Sequence, residues 1–234
     1  MLIYSWVRIR TVVMDLAHRI IAFLSFLTLI IAFILSIIYR KKKGLFQIKL
    51  YIILSIVVTI IDIFFFLFKN GSPQKIDQAV INIASIFEVS LIYNFLFVRI
   101  KRKIFRISMI VFFIVYLSIC TAVWTISKIA FYSFIPDIFG FEGLLITIPC
   151  LFYIYEILMS DLHINLNSDS NFIVTCGLLF YFSVSIPNYF SWYTLYYLSP
   201  GFEKILVILN ISCFIILNIS FMKAYLCPLP DQQQ

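Results

Sequence analysis

The chain has 234 residues, of which 63% are hydrophobic and 12% charged, and it carries a formal net charge of +7. Soluble domains hold roughly 45–50% apolar and about 25% charged residues, so this composition excludes a water-soluble globular fold. The cations gather at the ends of apolar segments, which argues against nucleic acid as a partner and for the positive-inside pattern of a membrane protein.

The first apolar block is Ile20 to Tyr39, closed by Arg40, Lys41, Lys42 and Lys43. Ahead of it, Leu2, Trp6, Ile9, Val13, Leu16 and Ile20 recur at spacings of four and three, which is one face of a helix. Two readings of residues 1–19 stay open: an amphipathic helix lying in the membrane interface, or an extension of the first spanning helix. A second block, Leu50 to Phe68, ends at the turn residues Asn70, Gly71, Ser72 and Pro73. The third, Val80 to Val98, runs into Arg99, Lys101, Arg102 and Lys103, and the fourth spans Ile107 to Ser127. An aromatic-rich loop then leads to a fifth span predicted over Gly143 to Met159. The sixth covers Phe172 to Phe190, and the seventh covers Ile205 to Leu226 before Pro228 and Pro230 open a short polar tail, 228–234.

A span needs about 20 residues, so these blocks predict an all-α polytopic transmembrane bundle of about seven helices over 20–227. Placing both dense basic clusters inside puts the amino terminus outside and the carboxyl terminus in the cytoplasm. The expected location is a cell membrane, the bacterial cytoplasmic membrane above all, with the lipid bilayer as the surrounding partner.

An ionisable group at bilayer depth costs on the order of 2.5–3.5 kcal/mol on insertion scales, so each one calls for a reason. Asp62 in the second span and Glu88 near the centre of the third fall at matched depth, where two carboxylates can share a proton or a cation. They, and Glu156 near the inner end of the fifth span, are the candidate ligand or ion residues. The competing reading is that each is hydrogen-bonded to a neighbour and fixes helix packing. Among the amides, Asn94 points away from Glu88, while Asn210 and Asn218, eight residues apart, are expected on one face as helix-to-helix glue. Aromatic residues cluster at the outer ends. Tyr132, Phe139, Tyr189, Trp192 and Tyr193 form either the interfacial belt or the roof of an outer pocket built from two loops.

The five cysteines, Cys120, Cys150, Cys176, Cys213 and Cys227, are scattered in apolar runs and read as packing residues. His163, Asp161 and Asp169 lack the spacing of a metal motif, and hydrolase, kinase and dinucleotide signatures are missing. No cofactor, metal or catalytic residue is expected.

Three stretches carry a resemblance: Ile86-Phe87-Glu88-Val89-Ser90-Leu91-Ile92-Tyr93, the run from Asn171 to Phe182, and Ile208-Leu209-Asn210-Ile211 leading to Ala224-Tyr225-Leu226-Cys227. Together they resemble an uncharacterised family of small seven-span bacterial integral membrane proteins, often encoded near two-component signalling genes. The resemblance implies a Glu at the position of Glu88 and a sensory or accessory role. It departs where Ile173 follows Phe172 in place of Trp, and where Ser168, Asp169 and Ser170 stand in place of a preceding Pro.

The resulting expectation is a non-enzymatic seven-helix protein that receives a signal or scaffolds a protein partner or a second copy. Its contacts would run through the basic inner residues Arg40, Lys41, Lys42, Lys43, Lys101, Arg102 and Lys103. The alternatives are a small proton- or cation-coupled transporter using the intramembrane carboxylates, and a structural subunit of a larger membrane complex.

Overall fold

The computed structural model describes residues 2–39, 43–68, 75–126, 135–160, 166–191 and 200–227, with side chains over 17–39, 44–61, 78–126, 135–160, 166–191 and 205–227. Among these residues there are seven α-helices: α1 Leu2–Ile38, α2 Phe46–Phe68, α3 Lys75–Arg99, α4 Lys103–Ile126, α5 Pro136–Leu158, α6 Ser170–Phe190 and α7 Pro200–Leu226. At about 1.5 Å per residue, even the 21-residue α6 reaches roughly the 30 Å of a bilayer core. Six helices contain a described segment long and apolar enough to cross a membrane. The remaining one, α2, is 23 residues long. The chain is a multi-pass membrane protein.

The outer surface agrees with lipid as the solvent. Phe23, Val98, Ile104 and Leu158 are each about two-thirds exposed, and α4 buries only Met109, Tyr116 and Cys120 along one stripe. A soluble protein rarely exposes so much contiguous apolar surface. In hydrocarbon this surface carries no penalty, and the helical backbone already satisfies its own polar groups.

Residues 2–19 are helical and continuous with the first span, as in the second of the two readings left open for 1–19, which makes α1 37 residues long. One boundary differs from the sequence expectation in a way that matters. The fifth helix starts at Pro136, seven residues before the predicted Gly143. Proline suits a helix's first turn because no intrahelical donor is needed there. Phe139, Phe141 and Glu142 are therefore helical residues and not part of an aromatic loop.

The helices pack as a ring in which α1 meets α2, α2 meets α3, α3 meets α5, α5 meets α6, α6 meets α7, and α7 returns to α1. Helix α4 lies outside, across α3 and α5. Small residues permit the closest approaches, as is usual where no hydrophobic force drives helices together in lipid. A methyl group on Gly177 of α6 would lie 2.6 Å from Ser220 Cβ of α7, and one on Gly143 of α5 would lie 2.9 Å from Ile186 Cγ1 of α6.

Polar side chains tie the ring together at depth. Asn188 Nδ2 donates to the Leu206 carbonyl at 3.1 Å, and Ser185 Oγ donates to Asn210 Oδ1 at 2.9 Å, both linking α6 to α7. Asn218 Nδ2 reaches Thr28 Oγ1 of α1 at 3.4 Å. Asn210 and Asn218 thus serve different neighbours, contrary to the shared face expected. Eight residues at about 100° each leave a rotation of about 80°, enough to separate them. All five cysteines are free thiols.

At one end of the bundle the turns are fastened to each other. The Arg99 guanidinium donates from Nε to Asn171 Oδ1 at 2.7 Å, and also to the carbonyls of Phe95 and Gly44. Tyr225 Oη donates to the Leu45 carbonyl at 3.3 Å. Asp169 caps α6 by accepting from the Asn171 amide at 2.8 Å.

Candidate functional site

A partly open cavity of about 180 Å³ lies between helices of the ring. Helix α2 lines it with Tyr51, Leu54, Ser55, Val58 and Thr59, and α3 with Ile81, Ala84, Ser85 and Glu88. Three further helices add one aromatic residue each: Phe139 of α5, Tyr181 of α6 and Phe214 of α7. The α2 residues Tyr51, Ser55 and Thr59 recur at every fourth position, which places them on one face. The hydroxyl protons of Ser55 and Thr59 go to the carbonyls of Tyr51 and Ser55, at 3.0 and 2.7 Å, leaving oxygen lone pairs free to accept.

Glu88 is half-buried and stands 13 residues from the start of α3 and 11 from its end. Tyr51 of the adjoining α2 lines the same cavity. Three residues before Glu88 on the same face of α3, Ser85 makes two bonds. Its Oγ donates to Glu142 Oε2 at 2.5 Å and lies 2.9 Å from Tyr116 Oη. A serine has one proton to give, so with that proton on Glu142 the Tyr116 hydroxyl is the donor to Ser85. The result is a directed chain from Tyr116 of α4, through Ser85 of α3, to Glu142 of α5. Glu142 is only 3% exposed.

The sequence candidates distribute unevenly over this geometry. Glu88 lines the cavity. Asp62 lies in α2, but its side chain is outside the described residues, as is its proposed pairing with Glu88. Glu156 is elsewhere: its two oxygens accept from the backbone amides of Lys101 and Arg102, each at 2.7 Å, and hold the turn between α3 and α4. Of the outer aromatic group, Phe139 and Tyr189 are brought together with ring centroids 5.6 Å apart, on α5 and α6 and not on loops. Tyr132, Trp192 and Tyr193 lie outside the described residues. Among the basic contacts, Lys101, Arg102 and Lys103 are exposed, and the Arg102 guanidinium sits 5.1 Å from the Tyr155 ring. The side chains of Arg40, Lys41, Lys42 and Lys43 are outside the described residues.

Glu142 is the residue that sequence reasoning missed. It fell just ahead of the predicted fifth span, and the signal that could have moved it inside was Pro136, a residue favoured at the first turn of a helix. Ser85, Tyr51, Tyr116 and Tyr181 carried no distinguishing signal, since serine and tyrosine are ordinary residues in a spanning helix. No family model, curated protein or solved structure matches this chain. The site itself is the ground for a functional reading.

Proposed function

We propose that this chain is a membrane receptor for a small organic ammonium ion, held beside Glu88 inside the helix ring, with its output passed to a partner at the basic end of α3. The observation that carries this reading is the lining of the cavity: one carboxyl and four aromatic rings, Tyr51, Phe139, Tyr181 and Phe214. Aromatic faces attract cations, and ammonium ions with apolar substituents are the group that such cages accommodate. At about 180 Å³ the space is below the roughly 300–1,000 Å³ of drug-sized pockets, which restricts the ligand to a few heavy atoms.

Glu88 and the exposed Lys101, Arg102 and Lys103 are joined through one helix and its turn, so a displacement of α3 on ligand entry reaches the basic surface directly. In the orientation with the amino terminus outside, that surface faces the cytoplasm, where a signalling or accessory partner would bind. The resemblance to a family often encoded beside two-component signalling genes points the same way.

The test is calorimetric titration of the protein in lipid nanodiscs with methylammonium, and with methanol as its neutral isostere. Saturable methylammonium binding that Glu88→Gln removes, with no binding of methanol, is the expected result. Equal responses to both compounds, or an undiminished response in Glu88→Gln, would overturn the assignment.

A second reading, a small cation-coupled transporter, is favoured by the buried Glu142 beside the cavity wall. It predicts pH-dependent methylammonium uptake into proteoliposomes that Glu88→Gln abolishes although the chain still inserts.

A further inference from the structure

Glu142 does not line the cavity, and binding a cation beside Glu88 does not by itself require it. A carboxyl taken almost wholly out of contact with solvent in the interior of a membrane bundle is costly, so its partners call for a reason. Its surroundings are specific. From α3 Ser85 donates to it, with Glu88 one turn further along that helix, and from α4 Tyr116 meets the same Ser85 hydroxyl; Cys120 of α4 and Tyr181 and Tyr189 of α6 are the other titratable groups near enough to act on it electrostatically. These groups are hydroxyls, a thiol and a second carboxyl. Two carboxyls in such a setting favour holding one proton between them over ionising together.

Ser85 is placed to move that proton. It touches Glu142 at 2.5 Å, it lines the cavity together with Glu88, and it is only three residues from Glu88 on the same helical face. A hydroxyl can accept a proton on its oxygen while releasing its own, and a cavity of this size has room for the water that completes the path. We propose that Glu88 and Glu142 form a proton-exchange pair connected by Ser85, in which a cation entering beside Glu88 transfers the shared proton to Glu142. The inference rests on the reading of the Glu88 cavity as a cation site.

The transfer balances without any co-reactant. The Glu88 carboxyl gives a proton to Ser85 Oγ, directly or through cavity water, and Ser85 gives its hydroxyl proton to Glu142 Oε2. Serine is regenerated, one proton has moved, and the Glu88 carboxylate faces the incoming ammonium ion. Tyr116 holds the Ser85 oxygen in place and is a positioning residue. The cavity thereby acquires a dependence on pH, because an ammonium ion and a proton compete for the same carboxylate.

Infrared spectroscopy of the reconstituted protein reads the protonated carboxyl groups directly. In the ligand-free protein, the band that Glu142→Gln removes should change its titration midpoint by at least about one pH unit in Glu88→Gln, because coupled carboxyls titrate as a pair. Ser85→Ala should displace the same band by removing its hydrogen bond, whereas Ser85→Thr should restore it. Methylammonium added to the wild-type protein should increase the band. An unchanged midpoint in Glu88→Gln, or a band indifferent to Ser85→Ala, would overturn the exchange pair, and neither measurement needs a ligand. Failure of methylammonium to bind, with the midpoint still shifted, would instead remove the ammonium reading and leave the coupled carboxyls standing. Circular dichroism and a single symmetric elution peak identify variants that fold, and Glu142→Asp replaces Glu142→Gln where the amide prevents insertion.

Discussion

The Tyr93 hydroxyl donates to the Leu145 carbonyl at 3.0 Å, and Leu145 is the residue whose helical donor is missing because Pro149 stands four positions later in α5. A side chain of α3 thus repairs the backbone of α5 at a depth where no water can do so. This bond holds α3 and α5 together beside the cavity, and it can be tested.

Tyr93→Phe should lower stability by about 0.6–2 kcal/mol, the range for interhelical hydrogen bonds in lipid. Equilibrium unfolding in mixed micelles measures the change. Pro149→Ala restores the amide donor, so the double variant Tyr93→Phe/Pro149→Ala should lose less than the sum of the two single losses. Simple additivity would show that Tyr93 does not serve the freed carbonyl.

Gly177→Ala should separate α6 from α7, since the added methyl would meet Ser220 Cβ at 2.6 Å. Overpacking of this kind costs about 1–3 kcal/mol. Ser220→Gly in the same chain should recover most of the loss, measured by the midpoint of thermal unfolding in detergent. No recovery would mean that the strain lies elsewhere.

Arg99→Lys keeps the charge but not the fork that reaches Asn171, Phe95 and Gly44 together. A loss of about 1.5–3 kcal/mol is expected on unfolding in mixed micelles, in the range of hydrogen bonds to charged groups. Asn171→Ala combined with Arg99→Lys should add little to that loss. A full additional loss would separate the two residues energetically.

Glu156→Ala removes the acceptors for the Lys101 and Arg102 amides and should loosen the turn between α3 and α4. Trypsin applied to inside-out vesicles should cleave at Lys101, Arg102 or Lys103 several-fold faster than in the wild type, and right-side-out vesicles should resist. Cleavage confined to right-side-out vesicles would reverse the orientation assigned to the chain.

Membrane residence and the set of seven helices were legible in the residues because both are local properties. Apolar runs of about 20 residues, broken by basic clusters and turn residues, report the solvent and the spans without reference to any contact. Glu88 was legible for the same reason, as a charge inside an apolar run. Glu142 was not, because the boundary of α5 was set by a proline at its first turn and not by hydropathy.

What tertiary structure alone decided is which polar residues meet. Ser85 of α3 and Glu142 of α5, 57 positions apart in sequence, became hydrogen-bonded because α4 lies outside the ring and lets α3 pack directly on α5. Rotation about each helix axis then turned Ser85 toward both the cavity and Glu142, sent Glu156 to a backbone turn, and divided Asn210 from Asn218. Helix rotation and helix order depend on interlocking side chains summed over the whole bundle. A one-dimensional pattern of apolar and polar residues constrains each helix face only loosely, most of all where lipid accepts apolar residues on every outer side.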